Sequence, residues 1–175
     1  GAVVNGVAPE IAIDGRLELR EARHPLLIRE VRRRLATDAG DPGTAPGDVV
    51  PTEIVLEPPA RVLLITGPNT GGKTVAIKTA GLLALMAQAG LHVPAAVARL
   101  PVFRSVFADI GDEQSISASL STFSGHIANI VAMDRAMTLP ALVILDEVGT
   151  GTDPNEGGAL ATAVVNHFKQ RGAHV

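Results

Sequence analysis

Residues 67–74 read GPNTGGKT and residues 142–147 read LVILDE. The first run, Gly67-Pro68-Asn69-Thr70-Gly71-Gly72-Lys73-Thr74, is a glycine-rich turn that ends on a lysine and a hydroxyl. Its three glycines let the backbone approach an oxyanion closely, and their N–H groups can point inward onto phosphate oxygens. A helix opening at Lys73 adds the positive end of its dipole to the same place. Lys73 is expected to reach the β- and γ-phosphates of a nucleoside triphosphate, and the Thr74 hydroxyl to ligate Mg²⁺. The second run is apolar and closes on two carboxylates. Asp146, at the end of a buried strand, is expected to hold Mg²⁺ directly or through water. Glu147 points elsewhere and can orient and polarise an attacking water. The two runs are expected to converge on one triphosphate. A guanine reader of the Asn-Lys-x-Asp type is absent from the sequence, which favours ATP.

The elements that must position these groups can be read from periodicity. Residues 61–66 (RVLLIT) predict a short buried strand running into the glycine loop, and residues 73–89 a helix leaving it. Residues 105–109 and 141–145 predict further strands. In residues 122–137, Phe123, Ile127, Ile130 and Val131 share one helical face. In residues 155–170, Leu160, Val164 and Phe168 repeat every four. Residues 1–25 alternate loosely through Ile11, Ile13, Leu17 and Leu19, residues 26–37 suggest a short helix, and residues 53–56 a strand. Residues 38–51 are rich in Gly, Pro and Asp and predict a mobile surface loop. The apolar stretch 79–98 carries Gly81, Gln88, Gly90, His92 and Pro94, which favours a buried helix followed by a turn over a membrane span. At His174 another strand is expected to begin. Apolar strands alternating with amphipathic helices predict an α/β fold, a P-loop NTPase with a mostly parallel sheet flanked by helices. The expected division is an N-terminal, β-rich antiparallel subdomain over residues 1–60, holding the mobile loop 38–51, and a P-loop ATPase core over 61–175, truncated before its last strands.

Composition narrows the function. The chain has 175 residues, enough for one sizeable core, and a net charge of −3. That balance lacks the basic footprint of a nucleic-acid-binding surface. With no Trp, no Tyr and four Phe, there is no evident platform for stacking bases. The absence of cysteine excludes disulfides and thiolate metal sites. Arg29, Arg32, Arg33 and Arg34 could touch phosphates, but Glu30, Asp38 and Asp41 favour a solvated helix face. Ser119, Ser121 and Thr122 are candidate helix N-caps, and a helix start bearing hydroxyls can equally receive an anion. Residues 149–153 (GTGTD) read as a turn or as a relay between nucleotide sites.

The runs ITGPNTGGKT, FADIGDEQSISASLSTFSGHI and LVILDEVGTGTDPNEG together resemble the ABC-type ATPase domain of the MutS family, over about residues 10–175. The resemblance is to the second bacterial MutS type. Mismatch-repair members carry Met where this chain has Thr70, Ser where it has Thr74, and an Arg-Gly-Thr turn where it has Thr150-Gly151-Thr152-Asp153-Pro154. The Asp112-Glu113-Gln114-Ser115 stretch points the same way. The resemblance implies a homodimer closed on two ATP sites, with Ser121 and Thr122 in the signature loop that meets the partner's nucleotide. It implies that residues 149–153 link the two sites, and that Val49 and Val50 flank the adenine with aliphatic side chains. A His beyond the last helix acts near the γ-phosphate in the family. Because the chain stops at Val175, the fragment is expected to bind ATP better than it hydrolyses it. By the same resemblance the full-length protein is cytoplasmic and acts on branched or mismatched DNA in repair and recombination. It carries an endonuclease domain absent here, and a ribosome-associated role is attributed to some members. Two alternatives stay open from the residues themselves: a phosphotransferase acting on a small molecule, with residues 26–48 as a lid, and a non-catalytic ATP-dependent dimerisation latch.

Overall fold

The computed structural model describes residues 4–35, 49–67, 72–110, 119–150 and 152–175, with the backbone alone for residues 35 and 119–123. The chain divides into two compact units, the first formed by Gly1–Ala60 and Ile65–Val102, the second by Arg61–Leu64 and Phe103–Val175.

The first unit is built on a four-stranded sheet of β1 (Glu10–Ile11), β2 (Leu17–Ala22), β3 (Thr52–Leu56) and β4 (Val97–Leu100), in the order β1-β4-β2-β3. β2 runs antiparallel to both β3 and β4, whereas β1 is parallel to β4. Alternation along β2 buries Leu17 and Leu19, which pair with Leu56 and Ile54 of β3. On the other face Glu18 sits opposite Arg99, and its buried carboxylate accepts from Arg20 at 2.8 Å and from Arg16 and Arg99 at 3.3 Å. Cross-strand charge pairing of this kind fixes register. The ladder shifts between Leu19 and Ala22, where Glu21 adopts φ 48° and its amide donates to Glu53 Oε1 at 2.8 Å.

After a 3-10 turn at Pro25–Leu27, α1 (Arg29–Leu35) carries the arginine cluster, with Arg33 2.8 Å and Arg34 3.6 Å from Glu30 on the same helix. These i, i+3 and i, i+4 pairs are those of a solvated face. The long helix of this unit, α2 (Lys73–Gln88), buries Ala76, Ala80, Leu83, Ala84 and Ala87 at helical spacing. It ends where Gly90 takes φ 75° and the Leu91 amide donates to the Met86 carbonyl at 3.0 Å, a Schellman stop that only glycine accepts without strain. The apolar stretch 79–98 is therefore helix, turn and the start of β4. Among the described residues, no helix is long and apolar enough to cross a membrane.

The second unit holds a separate two-stranded parallel sheet, β5 (Ser105–Asp109) with β6 (Ala141–Leu145), paired from Ser105↔Ala141 to Asp109↔Leu145. α3 (Ser119–Ala136) and α4 (Pro154–Gln170) cover one face of β6. Ala141 and Val143 pack there with Ile130 and Met133 of α3 and with Val164 and Phe168 of α4. Phe168 is wholly buried. An edge-to-face contact of Phe103 with His174, with ring centroids 5.5 Å apart, closes the far end, and His174 bridges to Leu142 in parallel. Outside this core, Asp134 of α3 accepts from His167 Nε2 at 2.7 Å and from Arg171, tying α3 to α4.

The expected P-loop NTPase fold of ABC-ATPase type, with one mostly parallel sheet flanked by helices and an N-terminal antiparallel part, is not the fold found. The larger sheet is mixed, and the parallel pair β5-β6 stands as a small sheet of its own. Residues 61–66, the strand that would have led into the glycine loop, form no regular ladder. Their backbone makes two hydrogen bonds to Val175, while Leu64 is 72% and Ile65 36% exposed. Hydrophobicity gave that run a reason to seek cover but no partner edge. α3 begins at Ser119, so Ser121 and Thr122 lie inside its first turn rather than at its cap. The greater part of the 38–51 loop lies outside the described residues.

Acid is expected to weaken the fold in two steps. Burial, helped by Lys78, holds the His24 imidazole below its ordinary 6.5. The Arg20 guanidinium, with Arg16, holds Glu18 below 4.5 against the opposing effect of burial. In both cases the unfolded chain takes up the proton first, so stability is complete above the unfolded value and is lost as pH falls toward the folded one. Urea midpoints should therefore start to drop below about pH 6.5 and again below about pH 4.5. His24→Gln should flatten the first step and Glu18→Gln the second.

Candidate functional site

In the first unit the glycine loop is entered at Gly67, with φ 143°, and left at Gly72, with φ 77°. Gly72 is the left-handed cap of α2, and no side chain caps the helix in its place. A Cβ at that φ is strained, which explains a glycine immediately before the lysine. The Gly72 carbonyl takes the first helical bond, from the Ala76 amide at 2.9 Å. Lys73 and Thr74 thus occupy the first two helical positions, where anions are favoured. The Lys73 Nζ folds back and donates to the Gly67 carbonyl, bridging the two ends of the loop. Pro68, Asn69, Thr70 and Gly71 lie outside the described residues.

In the second unit the carboxylates stand at the C-terminal ends of parallel strands, the usual ligand side of such sheets. Asp146 is half-buried and Glu147 exposed. The Asp146 amide donates to the Asp109 carbonyl at 2.9 Å, so the two strand ends are joined. Glu147 has φ 51°, a left-handed conformation that a non-glycine residue keeps only when its surroundings impose it. The Thr150 amide donates to the Glu147 carbonyl at 3.1 Å and closes the following turn. Asp153 then caps α4, accepting from the amides of Asn155 at 2.9 Å and Glu156 at 3.4 Å.

That turn is seated on α4 by a glycine–glycine contact. A methyl built on Gly157 would run into the Gly149 carbonyl oxygen, and one built on Gly149, at φ 86°, into Gly157. Gly157→Ala is expected to destabilise the second unit by about 1–3 kcal/mol, the range for an overfilled core site. Gly149→Ala should do worse, because backbone strain is added. Urea unfolding of each variant against the unsubstituted chain measures this.

Sequence reading missed one cluster. Asp109, 4% exposed at the end of β5, accepts from His126 Nδ1 at 2.5 Å and from Asn129 Nδ2 at 3.0 Å. Both donors come from α3, 17 and 20 residues away. The available signal was weak: an aspartate ending an apolar strand, and a His and an Asn three apart on one helix face.

Val49 is half-buried and Val50 is 84% exposed. The backbones of Ser121 and Thr122 are helical, and Gly151 lies outside the described residues. No group of three or more His, Asp or Glu side chains that could hold a metal by itself occurs among the described residues. The Thr74 hydroxyl in the first unit and the Asp146 carboxylate in the second are each hard oxygen donors. Such hard oxygen donors suit Mg²⁺, which dehydrates reluctantly and is held by few protein groups together with phosphate oxygens.

Residues 63–174 match the family model described as MutS domain V. The chain is 50% identical over 171 residues to a protein named Endonuclease MutS2 from Shouchella clausii, with 97% of the chain and 20% of that protein covered. It is 51% identical over 166 residues to the protein of that name from Symbiobacterium thermophilum, covering 94% of the chain and 19% of the relative. It is 47% identical over 176 residues to that of Exiguobacterium sibiricum, covering 100% and 20%. The chain thus spans about a fifth of the length of these relatives.

Proposed function

This chain belongs to the MutS family, and from that premise we propose that it is an ATP-driven switch. ATP with Mg²⁺ draws two copies together, hydrolysis lets them part, and the nucleic-acid-handling segments of the complete protein are biased between two states. The observation that carries this reading is the loop bridged by Lys73. Gly67 and Gly72 both take positive φ, and Lys73 and Thr74 open a helix whose N-terminus favours anions. The Lys73 ammonium is the cation that would meet the β- and γ-phosphate oxygens. The Thr74 hydroxyl and the Asp146 carboxylate are the groups that would hold Mg²⁺, which when bound offsets phosphate charge. Glu147, exposed and held in a left-handed conformation, orients the attacking water. Val49 and Val50 line the adenine, and Ser121 and Thr122 meet the nucleotide of the partner.

The relatives' name, Endonuclease MutS2, supports DNA as the polymer acted on in the complete protein. The net charge of −3 favours a grip supplied by other segments of the complete protein. Branched or mismatched DNA is the proposed substrate, with ribosomal RNA as the competing ligand.

Sedimentation of the complete protein with Mg²⁺, with and without a non-hydrolysable ATP analogue, tests the switch. The expected result is a shift toward a closed dimer with the ATP analogue and none with its GTP counterpart. An unchanged sedimentation profile under all conditions would remove the reading.

A further inference from the structure

We propose that Asp109, His126 and Asn129 form a positioning clamp that sets the orientation of α3 relative to the carboxylate end of β6, and so acts on turnover rather than on ATP affinity. The inference rests on the reading above, which gives α3's first turn and Glu147 their roles.

Asp109 joins two structures at once. Its backbone carbonyl accepts from the Asp146 amide at 2.9 Å, which fixes the strand end where Asp146 and Glu147 stand. Its side chain accepts from two residues of α3, His126 at 2.5 Å and Asn129 at 3.0 Å, one on each oxygen. Two bonds three residues apart on one helix resist both sliding and rolling of that helix, which a single bond does not. The carboxylate is 4% exposed, so water has little access to its oxygens, and a buried carboxylate left without its donors is strongly disfavoured.

The lever is short. The helix rises ~1.5 Å per residue, so Thr122 lies about 6 Å along the axis from His126 and one turn away on the same face. Any point about 5–6 Å from a helix axis moves by about 2 Å when the helix rolls by ~20°. Misplacement by ~1 Å can reduce a rate about 100-fold. The hydrophobic residues of α3, Ile130 and Met133, hold the helix onto the core but do not fix its roll so finely, because apolar contact is not directional.

The test uses the complete protein and steady-state ATP hydrolysis. His126→Ala should lower kcat about 10- to 100-fold while KM for ATP stays within about twofold. His126→Asn, whose amide can take the place of Nδ1, should recover most of the loss. Asn129→Ala should give a smaller fall of the same kind, and it carries the test if His126→Ala fails to fold. Turnover of His126→Ala within twofold of the unsubstituted protein overturns the clamp. So does a His126→Asn variant no faster than His126→Ala, or a drop in melting temperature with kcat per bound nucleotide unchanged. An unsubstituted complete protein that hydrolyses no ATP overturns the reading beneath it, and the clamp with it.

Discussion

Glu147→Gln in the complete protein is expected to cut ATP turnover by about 100- to 10,000-fold, the span attributed to a positioned general base, while ATP binding persists. The amide keeps the size and one acceptor oxygen of the carboxylate and loses the charge that polarises water. Backbone strain does not confuse the comparison, because Glu147 stands at φ 51° and glutamine meets the same restriction there as glutamate. Glu147 is also exposed, so the change empties no core. Single-turnover hydrolysis beside equilibrium nucleotide binding separates the two effects. Equal turnover in the two proteins would move the base elsewhere. A loss of binding would mean that Glu147 holds the nucleotide rather than acting on water.

Lys73→Ala should act on the other half of the reaction. Each charge-assisted hydrogen bond to phosphate contributes about 1.5–3 kcal/mol. Losing even one such bond corresponds to at least about a 10-fold weaker affinity for ATP. The alanine also removes the bridge from Nζ to the Gly67 carbonyl, so the loop loses its internal tie together with its cation. Lys73→Arg separates these contributions. It restores charge, but its planar fork does not match the point donor that bonds the Gly67 carbonyl. Titration with ATP and Mg²⁺ should rank the unsubstituted protein first, Arg second and Ala third. Affinity of the Ala variant within threefold of the unsubstituted protein would discard the phosphate role of Lys73.

The sequence made helices and short buried strands legible where local pattern was strong. Leu160, Val164 and Phe168 mark the buried side of α4, and the apolar run 141–145 is β6 as expected. The order of strands was not legible. β4 sits at the tail of an Ala- and Pro-rich stretch, where its two-residue alternation is swamped by the helix before it. The run 61–66 has the composition of a strand, but composition specifies burial and not an edge to pair with. Leu64 at 72% exposure records the difference. The fold-class expectation failed for the same reason, since parallel or mixed pairing is decided between segments far apart in sequence. At the candidate site, Gly72 and Lys73 were legible because one loop holds them. Asp109, His126 and Asn129 were not, because a buried network drawn from a strand and a distant helix leaves no local motif. The contact of Gly149 with Gly157 lies below that threshold too, since two glycines eight apart announce nothing until a turn folds onto a helix.

The four residues Arg61–Leu64 belong to the second unit although the stretches on both sides of them belong to the first. Neither unit can therefore be excised as one uninterrupted stretch of gene. A truncation that starts at Phe103 would leave Val175 without the backbone bonds from 61–63 and Gly172 without the Arg61 guanidinium. Dissection by limited proteolysis or by subcloning needs a splice rather than a cut, and a soluble half obtained by simple truncation would be a different folding problem from the one this chain solves.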